Sequence, residues 1–184
     1  MSKPNNKRFL VTTPDETTWD LKQPLLFLGE WCRLFSRRDI SSGLDIAIHP
    51  YHWDDRDKYE RDYRDLGKLY EQKLADLSIQ LGNLHGVSTE TRYWRIIIGP
   101  WLRFFIDAVF DRYELIRTVS ETNAISGTRI HTYNLNDWTP TDFQEFYDQF
   151  RDDPWNHIIF SECIINSGIT FEKLSSQITP RKKA

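Results

Sequence analysis

Cysteine is scarce in this 184-residue chain, and its only two, Cys32 and Cys163, lie far apart and outside any CxxC motif. A disulfide scaffold and a zinc finger are therefore excluded, and a reducing compartment is the simplest interpretation. A surplus of either charge is also lacking, since 24 basic and 27 acidic residues give a formal net charge of −3. Proteins that bind nucleic acid present a basic face to the phosphates, so we expect no nucleic-acid partner.

Long apolar runs are missing as well. The most apolar stretch, 96–110, is interrupted by Arg103 and Asp107, and it is shorter than the roughly 20 apolar residues that a transmembrane helix requires. The N-terminus carries no apolar segment followed by a cleavage site, as a secretion signal would. We therefore expect no transmembrane segment and a cytoplasmic protein, with a peripheral position at the inner membrane as the alternative.

Three common fingerprints, GxGxxG, the Walker A loop and the GxSxG elbow, are also absent from the sequence. Aromatic residues are abundant by contrast, with 11 Phe, 8 Tyr and 7 Trp making up 14% of the chain. Such a chain can build a large hydrophobic core and still have Trp and Tyr left for a binding surface.

Short apolar runs alternate with longer helical patterns along the chain. Strands are predicted at 8–13, 24–28, 44–49 and 128–133. The run at 24–28 is also compatible with the start of a helix. Apolar residues three and four positions apart predict a helix over 54–85 that ends at Gly86, with further helices over 101–119 and after Asp142. This alternation predicts an α/β fold with a mostly parallel sheet and helical insertions.

The densest group of chemistry-bearing side chains is HPYHWDDR at residues 49–56, between a predicted strand and a predicted helix. Ligands of open α/β sheets bind beyond the carboxyl ends of the strands, so the position suits a site. His52, Asp54 or Asp55 could act as a general base toward an acceptor hydroxyl, and Arg56 could hold a phosphate or carboxylate. The alternative is that the acids cap the helix while the other side chains pack the turn. No metal site is predicted, because the spacing matches no two-histidine motif.

Two further groups are candidates. Glu30 follows an apolar run and Gly29, so it is either a base in an acceptor pocket or a first-turn helix residue that complements the helix dipole. An aromatic and arginine series at 93–113 either binds sugar rings and phosphates or forms a helix core with extended arginines. The candidate substrate-binding residues are Trp31, Trp53, Arg56, Arg95, Trp101 and Arg112.

Several segments of the sequence resemble the N-terminal part of a family of bacterial transferases associated with surface-carbohydrate synthesis, such as O-antigen or capsule loci. These segments are FLVTTPDETTW, FLGEWCRLFSR, HPYHWDDR, RYWRIIIGPWL and FDRYELI. The resemblance covers roughly residues 8–165. Members of that family are longer and resemble GT-B-type glycosyltransferases, in which two Rossmann-like domains enclose the active-site cleft.

The resemblance implies a Rossmann-like acceptor-side domain over 8–175, after a flexible lead at 1–7 and before a basic tail at 176–184. The donor domain that should follow is missing here, so we expect this chain alone to be inactive. The expected partners are a carbohydrate acceptor and, through the missing domain, a nucleotide-sugar donor, with no cofactor. An apolar surface over 93–119 would then be exposed and favour self-association.

Three functions remain open at this point. The leading hypothesis is a glycosyltransferase-like protein of cell-surface polysaccharide biosynthesis, with Glu30, His52, Asp54 or Asp55 as the base. In it, Arg56, Arg95 and Arg112 hold anionic groups while three tryptophans stack on sugar. The second is a non-catalytic glycan-binding or assembly module that pairs with a separate chain. The third is a small hydrolase built around His52 and the neighbouring acids.

Overall fold

Five parallel strands form one sheet in the order β3-β2-β1-β4-β5. The strands are β1 (Arg8–Val11), β2 (Leu25–Phe27), β3 (Ile46–Ile48), β4 (Ile125–Thr132) and β5 (Phe171–Gln177). The helices are α1 (Arg38–Ser41), α2 (Arg56–His85), α3 (Thr91–Ile97), α4 (Gly99–Thr122), α5 (Phe143–Gln149) and α6 (Asp153–Ile165). The protein therefore has the predicted α/β, Rossmann-like fold with a parallel sheet.

Two compact units make up the chain in the computed structural model, which describes residues 7–87 and 90–180. The helical unit consists of residues 52–111, and the α/β unit consists of the described residues before and after it. The structure describes residue 7 of the predicted lead and residues 176–180 of the predicted tail, and the rest of both lies outside the described residues. Of the predicted tail, Ser176 and Gln177 belong to β5.

The α/β unit is built on the central strands. Leu10 of β1 lies opposite Leu26 of β2, which in turn lies opposite Ala47 of β3. Every residue of β2 is buried, because a parallel strand covered on both faces favours a continuous apolar run over an alternating one. Residues of α4 and α6, including Val119 and Phe160, complete this core.

The helical unit begins with α2, which confirms the helix predicted over 54–85. Asp55 caps it, since its carboxylate accepts hydrogen bonds from the backbone N–H groups of Asp57 and Lys58. Gly86 ends it in the left-handed conformation with φ of 65°, a backbone region that glycine adopts without steric penalty. The core of this unit consists of Leu66, Leu74, Trp94, Leu102 and Ile106.

Two features of the fold were not predicted from the sequence. Pro154 lies in the first turn of α6, because a first-turn proline lacks only an N–H that would have no partner there. The strand β5 was not predicted, since its sequence FEKLSSQ is mostly polar and mostly exposed. No helix in the described ranges combines the length and apolar character needed to cross a bilayer.

Candidate functional site

The strand order places a topological switch point in the sheet of the α/β unit. The chain runs outward from β1 through β2 to β3 and then returns to form β4 on the other side of β1. In open parallel sheets, ligands bind outside the carboxyl ends of the strands at such a point. Asp15 follows β1, and His131 lies in the last part of β4. These two side chains meet there.

Asp15 is held as an ionised hydrogen-bond acceptor. Its Oδ1 accepts hydrogen bonds from the Thr17 backbone N–H (3.1 Å) and the Thr17 hydroxyl (2.7 Å). Its Oδ2 lies 2.8 Å from Nε2 of His131. Burial alone would raise the pKa of Asp15, but the hydrogen bonds from Thr17 and His131 outweigh it and leave this pKa below its ordinary value. The carboxylate therefore keeps a proton on Nε2 of His131.

His131 is buried, and both of its ring nitrogens have partners. When the ring is neutral with its proton on Nε2, facing Asp15, Nδ1 presents a lone pair, and this atom lies 2.7 Å from Oγ of Ser176. Ser176 is an exposed residue near the end of β5. The register of β4 against β5 is irregular between Ile130 and Thr132, and such a bulge redirects a side chain from the strand's regular alternation.

His157 of α6 supports His131 from within the core. The backbone N–H of His131 donates to Nε2 of His157 at 3.1 Å, so the proton of the neutral His157 ring belongs on Nδ1. Burial, aided by the nearby His131, lowers the pKa of His157 to about 4. Its Nδ1 and the hydroxyl of Thr13 are buried without a hydrogen-bond partner among the described residues. Unpaired buried polar atoms are uncommon in proteins. Thr13 lies two residues before Asp15, and His157 accepts the backbone N–H of His131.

Glu30 and Trp31 lie in the same unit, directly after β2. Glu30 is exposed and forms an ion pair with Arg33 at 3.0 Å. The indole N–H of Trp31 donates to the carbonyl of Thr12 at 3.0 Å. Its ring packs against Gly29, where an added Cβ would lie 2.0 Å from a ring atom. Trp31 nevertheless remains 39% exposed, which leaves part of the indole available for a ligand.

An open cleft of about 660 Å³ borders Glu30. Arg33 and Arg38 line it together with Phe35, which is 81% exposed. The guanidinium of Arg38 lies 4.6 Å from the centre of the Phe35 ring. This cleft combines two carboxylates, those of Glu30 and Asp39, with two cations and an aromatic face.

The HPYHWDDR residues from His52 onward lie in the helical unit, at and before the start of α2. Nε2 of His52 lies 3.0 Å from Asp111, and its Nδ1 lies 3.5 Å from Nζ of Lys58. Lys58 pairs with Asp62, which also accepts a hydrogen bond from the indole of Trp53 at 2.9 Å. The result is a buried polar network around His52.

The other members of the motif have simpler surroundings. Asp55 is the α2 cap, while Asp54 and Arg56 are exposed beside it. His49 belongs to the α/β unit, where its ring lies 3.0 Å from the Thr118 hydroxyl. The catalytic and binding roles predicted for Glu30, His52 and the acids of this motif stay predictions.

The remaining candidates are engaged with other side chains. Arg95 forms a bidentate pair with Glu71, with both N–O distances at 2.6 Å. Trp101 stacks on Phe105 with 5.2 Å between ring centres. In the α/β unit, Arg112 donates twice to the side-chain oxygen of Asn156, at 3.0 and 2.8 Å. Their proposed roles in holding substrate also stay predictions.

The residues that sequence reasoning missed are Asp15, His131, His157 and Ser176. They come from four separate segments of the α/β unit, so no local sequence motif contains them. One signal was available, since an acid soon after the first strand and a histidine late in another strand are what the switch-point rule would select.

Comparison with known proteins identifies a family. Residues 8–184 match the family described as LIC12162 family transferase. No curated protein and no solved structure matches the chain at a significant level.

Proposed function

Since the chain belongs to the LIC12162 family of transferases, we propose that it carries the acceptor side of a glycosyl transfer in which His131 is the general base. The observation that supports this most directly is the Asp15–His131 pair, with 2.8 Å between Oδ2 and Nε2, at the switch point of the parallel sheet. A histidine oriented by a carboxylate is the usual protein device for taking a proton from a hydroxyl.

The proton transfer follows from the hydrogen bonds of the pair. Asp15 keeps the proton on Nε2, so Nδ1 of His131 is the basic atom and takes the proton of the acceptor hydroxyl. The carboxylate then stabilises the imidazolium that forms. The acceptor oxygen bonds to the anomeric carbon of an activated sugar, and the bond from that carbon to the donor's diphosphate breaks.

Other features support a carbohydrate acceptor. The half-exposed indole of Trp31 offers a flat apolar face of the kind on which sugar rings pack, and the cleft that borders Glu30 is lined by two arginines and Phe35. The resemblance to transferases of surface-carbohydrate loci supports a polysaccharide acceptor and a cytoplasmic reaction at the inner membrane. It also supports a nucleotide-sugar donor bound by a second, GT-B-like domain outside residues 8–175.

His52 is the rival base, because it also pairs with a carboxylate. Its side chain is 1% exposed and that of its partner Asp111 is 11% exposed, whereas the side chain of His131 is 6% exposed and that of Asp15 is 35% exposed. The Asp111, Lys58 and Trp53 neighbours of His52 form a network within the helical unit. This favours a positioning role for His52 and a chemical role for His131.

The test measures release of nucleoside diphosphate by the native-length protein from a panel of UDP-, GDP- and dTDP-hexoses in the presence of carbohydrate acceptors. We expect His131→Gln to lower the rate about 100-fold or more, the contribution typical of a general base. His49→Gln is the matched control, since His49 is also a buried histidine at the carboxyl end of a strand of this sheet. It should retain the rate.

Two results would contradict the proposal. One is the absence of donor-dependent release by the unaltered protein across the whole panel. The other is a His131→Gln variant that folds, by circular dichroism, and keeps its rate. A loss on His52→Gln combined with a retained rate on His131→Gln would assign the base to the helical unit.

A further inference from the structure

A serine completes a hydrogen-bonded chain with the Asp15–His131 pair. Oγ of Ser176 lies 2.7 Å from Nδ1 of His131, whose Nε2 lies 2.8 Å from Oδ2 of Asp15. Serine, histidine and carboxylate thus stand in the order used by serine hydrolases, with the two ring nitrogens exchanged. The three residues come from β5, β4 and the segment after β1.

The position of Ser176 suits a nucleophile. It is exposed, while its histidine partner is buried. Its strand end is anchored, since the Thr132 hydroxyl donates to the carbonyl of Ser176 at 3.1 Å and the N–H of Ile178 donates to the carbonyl of Thr132 at 3.0 Å. A nucleophile needs this combination of access and fixed geometry.

The protonation of Asp15 and His131 determines which atom of the histidine is basic. Asp15 is ionised and holds the proton of Nε2, so the lone pair on Nδ1 of His131 is directed at a neighbouring hydroxyl. In the observed geometry that hydroxyl belongs to Ser176. The imidazole therefore increases the nucleophilicity of Ser176 itself, in addition to any acceptor that displaces it.

We propose that Ser176 is an activated nucleophile that gives this protein a second activity, acyl transfer from small carboxylic esters. Oγ of Ser176 bonds to the ester carbonyl carbon, its proton moves to Nδ1 of His131, and the bond to the alcohol oxygen breaks as His131 returns that proton to the leaving alcohol. A water or acceptor hydroxyl then attacks the acyl-serine. Its proton passes through His131 to Oγ as the serine is released. This activity does not depend on a sugar donor.

The direct test is labelling of the intact chain with a fluorophosphonate, a probe that bonds covalently to activated serines. We expect one adduct, located at Ser176 by peptide mass spectrometry, and none on Ser176→Ala. Ser175→Ala is the matched control, because Ser175 is an exposed neighbour on the same strand, and it should label at the original rate. His131→Gln should slow labelling by about 100-fold or more.

A second measurement covers the case in which the buried His131 variant fails to fold. Ser176→Cys and Ser175→Cys place a thiol at each exposed position, and iodoacetamide alkylation at pH 7 compares them. We expect the thiol at 176 to react about tenfold faster, because a neighbouring base raises the thiolate fraction. The native thiols give little background, since burial raises the pKa of Cys32 to about 12 and that of Cys163 to about 11.

The proposal is wrong if the fluorophosphonate does not label Ser176, if Ser175→Ala loses the label as Ser176→Ala does, or if the two thiols react at equal rates. These results are independent of nucleotide release from sugar donors. A protein that labels at Ser176 and releases no nucleotide would retain this inference and contradict the glycosyl-transfer proposal, and the opposite pair of results would do the reverse.

Discussion

At the scale of single residues, His157 shows how burial sets the chemistry of the α/β unit. Its ring is 1% exposed and accepts the backbone N–H of His131 through Nε2. That N–H is available because the β4–β5 register is irregular at this point. A charged His157 could not accept this bond and would stand buried beside His131, so the folded state requires the neutral ring.

A pH dependence of stability follows from His157. Burial and the nearby His131 lower its folded-state pKa from 6.5 to about 4, while the Asp15 charge acts weakly in the opposite direction. As pH falls from 6.5 toward 4, the unfolded chain binds a proton that the folded chain does not, so the free energy of unfolding decreases. The shift corresponds to a loss of roughly 3 kcal/mol over this window.

Urea unfolding at several pH values between 7.5 and 4.5 measures this effect. We expect His157→Gln to flatten the decline, because a glutamine amide oxygen can accept the His131 N–H and does not titrate. Asp15 cannot account for the difference, since its lowered pKa confines its contribution to pH values below about 3.8. Parallel stability curves for the two proteins would show that His157 does not control this window.

At the scale of elements, the parts that could be predicted are those whose pattern is local. The helix α2 carries a repeating apolar stripe, an acidic cap and a terminal glycine, so its bounds were predicted to within two residues of Arg56–His85. The central strand β1 was predicted as well, whereas the apolar run that forms β2 was compatible with a strand or with the start of a helix. The polar strand β5 carries no such pattern, because its pairing with β4 is a long-range contact.

The candidate site was harder to predict for the same reason. The motif HPYHWDDR attracts attention because its polar residues are adjacent in sequence, yet its Asp55 caps α2 and its His52 joins a buried network. The Asp15–His131–Ser176 chain depends on three strand ends meeting at one edge of a sheet. Only the strand order brings them together, and strand order is not contained in any short segment.

Glycine within α2 permits a prediction for that helix. Gly67 lies in the helix interior, and an added Cβ there would meet no atom within 4 Å. Glycine in a helix is about 0.5–1 kcal/mol less favourable than alanine, because it loses more backbone entropy on folding. We expect Gly67→Ala to raise the free energy of urea unfolding by about this amount.

Gly82 provides the control within the same helix. A Cβ at Gly82 would lie 3.0 Å from the carbonyl oxygen of Val87, so the entropic gain of Gly82→Ala should be offset by crowding at the C-terminal end. A smaller gain for Gly82→Ala than for Gly67→Ala is therefore expected. Destabilisation by Gly67→Ala would contradict the assignment of an open helix face at that position.

At the scale of the whole molecule, the described residues form two hydrophobic cores that share no residue. The α/β core is built around Leu10, Phe27 and Ile116, and the core of the helical unit around Leu74 and Trp94. Both candidate chemistries, at His131 and at Ser176, belong to the α/β unit. Stability in each unit is therefore expected to respond first to substitutions in its own core.

Hydrogen exchange followed by mass spectrometry tests this independence. Leu74 is fully buried, so Leu74→Ala should destabilise by about 2–5 kcal/mol through lost contacts and a residual cavity. We expect faster exchange in α2 and α3, with β1, β2 and β4 unchanged and fluorophosphonate labelling of Ser176 retained.

Leu10→Ala is the matched substitution in the other core and should accelerate exchange in the strands and abolish labelling. Equal acceleration in both units by either variant would show instead that the two cores unfold as one cooperative unit, in which case the site in the α/β unit would depend on the helical unit for its stability.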